Sequence, residues 1–133
     1  MRCCKVTDLL ALLGHNVAIL YIQHRSPYAN LQSQETLDAL LVMAAFGQLT
    51  RVLFQGDGVW QLVGEHHGHA FARTAISAQL QALDLYEVDE VFVDAQSLAS
   101  RQLTLDDLTR PVQLIASEQI ATFISQHAMV VRL

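Results

Sequence analysis

Charge is scarce in this sequence. Of its 133 residues, 16% are Asp, Glu, Lys or Arg, against about 25% in an average soluble chain. The deficit implies that part of the surface is covered by a partner. The 8 Lys and Arg are scattered and outnumbered by 13 acids, giving a net charge of −5. That balance argues against a nucleic-acid grip, which needs clustered cations on the phosphates. Cysteine is nearly absent: Cys3 and Cys4 are the only two, and they are adjacent. Such a pair builds no disulfide framework, which fits a reducing compartment. No apolar run approaches the roughly 20 residues of a membrane span. The opening "MRCCKVTDLLALLGHN" has the outline of a signal peptide, but its apolar part, Leu9 to Leu13, is too short and Asp8 precedes it directly. The expected location is cytoplasmic.

What is present is an alternation of short apolar runs with helical patterns. "VAILYIQ", Val17 to Gln23, is nearly continuously apolar and reads as a strand buried on both faces. Pro27 and Asn30 mark a loop, and Ser33 reads as the cap of a helix to about Phe46. Leu37, Leu40, Leu41 and Ala44 form that helix's apolar stripe, and Gly47 ends it. "RVLFQ" is a second strand, closed by Gly56-Asp57-Gly58. Gly64 to Gly68 reads as a loop, and His69 to Leu83 as a helix with Phe71, Ile76, Leu80 and Leu83 inward. "EVFVD", Glu90 to Asp94, is a third strand. A short helix starts near Asp94 or Ala95, and Thr104 with Asp107 resembles a capping signal. "PVQLIA", Pro111 to Ala116, is a fourth strand with proline tolerated at its start. Ser117 reads as the cap of a last helix with Ile120, Ala121 and Ile124 inward, and "AMVVRL" is a fifth strand. This order predicts an α/β fold, a parallel sheet with helices on both faces. Residues 1–15 read as an N-terminal extension, loosely ordered, ahead of a single domain over 16–133.

Four groups could carry chemistry. The first is "GDGVWQ". It lacks the third glycine of a dinucleotide fingerprint, since Gln61 stands there, and no P-loop Lys-Ser or Lys-Thr follows. It reads as a tight turn with Trp60 as a packing or interface anchor. The second is "EHHGH", where His66, His67 and His69 could offer nitrogens to a metal, but nothing else supplies a second ligand cluster. His15, His24 and His127 stand alone and read as surface or packing residues. The third is the Cys3-Cys4 pair, which could carry sulfur as a thiolate but has no evident base or electropositive setting. The fourth is Asp57 and Asp94, just beyond the carboxyl ends of expected strands, where open parallel sheets bind ligands. Asp94 equally suits the cap of the helix that follows it. No metal or cofactor is called for.

The segments "SPYANLQSQETLDALLVMAA", "FQGDGVWQL", "LQALDLYEVDEVFVDAQSLASR" and "VVRL" resemble the TusC/DsrF family over about Val17 to Leu133. The stretch Asp57 to Leu62 is the most specific part. The resemblance implies a DsrE-like three-layer α/β/α sandwich on a five-stranded parallel sheet. It also implies a subunit of a heterohexamer, TusBCD or DsrEFH, with TusB-like and TusD-like sisters. In the Tus system the complex takes persulfide sulfur from TusA and passes it to TusE, toward 2-thiouridine at the tRNA wobble position. The Dsr version serves sulfur oxidation. In the sulfur-bearing sister the acceptor cysteine lies at the end of a strand entering a helix. The comparable stretch here, "VFVDAQSL", offers Val93, Asp94 and Ala95 and no thiol. The resemblance therefore implies a scaffold subunit, with Trp60 and Tyr86 as candidate contacts to the sisters. Two other readings stand beside it: a sulfurtransferase using Cys3 or Cys4, and a small-molecule module near Asp57 and Asp94.

Overall fold

A computed structural model describes residues 18–26, 31–63 and 70–132, with side chains undescribed over 70–77. The expectations for residues 1–15, the Pro27–Asn30 loop, the Gly64–Gly68 loop, and the inward Phe71 and Ile76 lie outside the described residues.

Five strands form one all-parallel sheet: β1 (Ile19–Gln23), β2 (Thr50–Phe54), β3 (Val91–Asp94), β4 (Gln113–Ile115) and β5 (Met129–Arg132), in the order β4-β3-β2-β1-β5. Parallel neighbours must be joined by crossovers, and helices supply them. They are α1 (Gln32–Ala45), α2 (Ala70–Leu85), α3 (Ala95–Ser100) and α4 (Ser117–Ser125), with 3-10 segments at Gly56–Leu62 and Leu105–Asp107. The chain steps outward from β1 to β4, then returns across the sheet to place β5 beside β1.

That path sorts the helices. On one face Leu37 and Leu40 of α1, Leu80 and Leu83 of α2, and Leu98 of α3 pack on Ile19, Tyr21, Val52, Phe54, Val91 and Val93. On the other face Ile120, Phe123 and Ile124 of α4 pack on Leu20, Ile22, Leu53, Ile115 and Phe92. The result is a three-layer α/β/α sandwich. Every residue of β1 is buried, and so is most of β2, which is why both read as continuous apolar runs. β4 and β5 are edge strands and mostly exposed.

At the amino edge, Arg51 pairs with Glu90 and donates through Nη1 to His127 Nε2 at 3.2 Å. His127 Nδ1 donates to the Phe123 carbonyl at 2.8 Å, leaving Nε2 as the acceptor the guanidinium requires. The imidazole also meets the Phe123 ring edge-on at 4.9 Å between centroids. His127 is thus a packing residue.

Three helices end in the same left-handed cap. After α1, Gly47 has φ 85° and the Gln48 N–H reaches back to the Met43 carbonyl at 3.1 Å. After α2, Glu87 has φ 61° and Val88 donates to Leu83 at 2.8 Å. After α3, Gln102 has φ 55° and Leu103 donates to Leu98 at 3.0 Å. Each closes the orphan carbonyls of its last turn. One of the three uses glycine.

Several local expectations need correction. Ser33 does not cap α1: it lies inside the helix, buried, and the cap position is Leu31, with no side-chain bond. Ser117 is the first residue of α4, behind Ala116 at the cap. Ala121 is exposed, and Phe123 takes the inward place instead, 4.6 Å from the Phe92 ring. β4 starts two residues after Pro111. The Thr104–Asp107 pair does form a reciprocal capping box. Among the described residues no helix is long and apolar enough to cross a membrane.

Candidate carboxyl-edge site

All five strands point the same way, so their carboxyl ends form one edge. Gln23, Phe54 and Asp94 end β1, β2 and β3 there. The residues that follow are bonded into one polar assembly.

Asp94 leaves β3 in extended conformation and caps α3, accepting from the Gln96 N–H at 3.1 Å. Its second oxygen accepts from Ser97 Oγ at 2.8 Å. Ser97, buried, accepts in turn from the Gly56 N–H at 2.8 Å. Arg101, one turn on, donates to the Ser97 carbonyl at 3.0 Å and to Asp57 at 2.9 Å. Asp57 and Asp94 are therefore joined through Ser97 and Arg101, and the start of the 3-10 segment is sewn onto α3. The Arg101–Asp57 pair is solvent-exposed on its acidic side, so its contribution is about 0–1 kcal/mol.

The glycine pair has two separate tasks. Gly56 has φ 56°, which turns the chain sharply off β2. Gly58 lies against the end of β1: a Cβ there would sit 1.9 Å from the Gln23 carbonyl oxygen. The same carbonyl accepts the Gln55 N–H at 3.0 Å, the last rung of the β1–β2 ladder. The close approach brings Gln61 over Gln23. Gln61 Nε2 donates to the Arg25 carbonyl at 3.0 Å and to Gln23 Oε1 at 3.4 Å, while Gln23 Nε2 donates to the Ser33 carbonyl at 3.0 Å. Both amides are buried. Their bonds fix the start of α1 to β1 and to the 3-10 segment.

This geometry does not make a phosphate loop. The Gly56 N–H is taken by Ser97 and the Gly58 N–H by the Gln55 carbonyl at 3.0 Å. Asp57 puts negative charge in the first turn, where an anion would sit. Nor does it make a nucleophile of Ser97, whose proton goes to Asp94 and whose lone pair is held by a backbone amide. Val59 and Leu62 plug the segment into the core, and Trp60 is half-buried.

The site is broader than the sequence indicated. Asp57 and Asp94 are brought together. Trp60 stands at this edge, whereas Tyr86 follows the end of α2 at the opposite edge and is exposed. Gln23, Gln61, Ser97 and Arg101 were not foreseen as a group. The one signal was a lone glutamine ending the buried run "VAILYIQ". Cys3, Cys4, His66, His67 and His69 lie outside the described residues. Among those described, no group of three or more His, Cys, Asp or Glu could hold a metal.

Comparison with known proteins identifies the frame. The profile of the DsrE/DsrF-like family matches residues 17–133. A TusC homolog of Vibrio parahaemolyticus is 32% identical over 108 residues, covering 81% of this chain and 92% of that protein. A TusC homolog of Pseudomonas aeruginosa is 31% identical, covering 87% and 98%. The intracellular sulfur oxidation protein DsrF of Allochromatium vinosum is 36% identical, covering 77% and 73%. The crystal structure of the ychN protein from E. coli superimposes with a TM-score of 0.70 at 18% identity, covering 88% of this chain and 99% of the other, a likeness of fold. The chain belongs to the DsrE/DsrF-like family, in its TusC/DsrF branch.

Proposed function

We propose that this chain is a non-catalytic subunit of a sulfur-relay complex, a heterohexamer with TusB-like and TusD-like sisters. In this reading the complex takes persulfide sulfur from a TusA-like donor and hands it to a TusE-like acceptor, for 2-thiolation of the tRNA wobble uridine. In each transfer an acceptor thiolate takes the outer sulfur and the donor leaves as a thiolate. The work is cytoplasmic. Residues 16–133 form the assembling domain, and 1–15 are an extension without a part in transfer.

The observation that carries this reading is the carboxyl end of β3. There Asp94 is held by Ser97 Oγ and the Gln96 N–H as a helix cap. A carboxylate cannot form a persulfide, and this one is already engaged in structure. Low charge and exposed apolar residues such as Phe46 and Leu85 suit a chain that works within an assembly.

The test is a reconstituted transfer assay with both sisters and labelled persulfide donor. Replacing Cys3 and Cys4 together by serine should leave transfer to the acceptor unchanged. Loss of transfer would make this chain a sulfurtransferase. The 36% identity to an intracellular sulfur oxidation protein favours one second reading, a DsrEFH-like complex. Deleting this chain's gene should abolish wobble 2-thiouridine under the first reading, and under the second should leave it intact while stopping sulfur oxidation.

A further inference from the structure

We draw no further inference here: the strongest candidate, the cavity of about 140 Å³ between α2 and the Thr109–Arg110 loop, carries nothing, because Gln61 Oε1 and Arg110 Nε, the unpartnered buried atoms among its lining residues, are themselves closed to solvent and select no ligand.

Discussion

Replacing Gly58 by alanine tests whether the close approach at β1 holds the carboxyl edge together. The added Cβ would lie 1.9 Å from the Gln23 carbonyl oxygen, 2.6 Å from its carbon and 3.1 Å from the His24 nitrogen. All three are backbone atoms, so no side chain can swing away. The 3-10 segment must withdraw by more than an ångström. The withdrawal pulls the Gln61 amide from Gln23 and the Arg25 carbonyl. Overpacking of this kind costs about 1–3 kcal/mol, and each buried polar group left unpaired adds about 1–3 kcal/mol. A total of about 3–5 kcal/mol is a large part of the roughly 5–15 kcal/mol that holds a domain folded. Urea unfolding followed by circular dichroism reads this directly. With a slope near 2 kcal/mol/M, the midpoint should fall by about 1.5–2.5 M. Gly47→Ala is the control: its Cβ meets nothing within 4 Å, so the cost is conformational, about 1–2 kcal/mol. If the two variants lose equal stability, the close-approach argument is wrong.

Other expectations follow from single features. Glu87→Gly and Gln102→Gly should each stabilise the fold by about 1 kcal/mol, because both residues hold a left-handed cap at positive φ; a lower melting temperature in both would refute the assignment. Asp94→Ala removes the cap of α3 and the acceptor of Ser97, and should cost about 1–2 kcal/mol in urea unfolding without changing sulfur delivery by the assembled complex. Burial raises the Tyr21 phenol above its ordinary pKa of 10.0. The folded state therefore keeps a proton that the unfolded chain releases, so this contribution is complete below pH 10 and is lost as pH rises through the folded value. Tyr21→Phe should flatten part of the alkaline decline in stability, and superimposable curves would contradict it.

How far the sequence reveals this molecule depends on what each residue answers to. β1 and β2 were legible because strands buried on both faces are apolar throughout, and helix-strand alternation leads to a parallel sheet. α1 was legible from Leu37 and Leu40. Its end was marked by Gly47, while the ends of α2 and α3 went unmarked because Glu87 and Gln102 occupy positions that usually call for glycine. Ser33 and Ser117 misled because capping preference is local, whereas the entry of the chain from β1 and β4 decides where each helix starts. At the site, Asp94 was legible as a cap. Its link to Asp57 was not, since it runs through Ser97 and Arg101, and Arg101 stands 44 positions after Asp57. The task of Gly58 depends on Gln23, a distant neighbour that only the folded sheet supplies.

The most direct measurement is intact mass spectrometry of every subunit in the reconstituted complex, quenched during turnover with a persulfide donor. A sister chain should gain the mass of one sulfur atom, and this chain's mass should not change. A sulfane sulfur on Cys3 or Cys4 of this chain, formed and discharged at the rate of transfer, would contradict the non-catalytic reading.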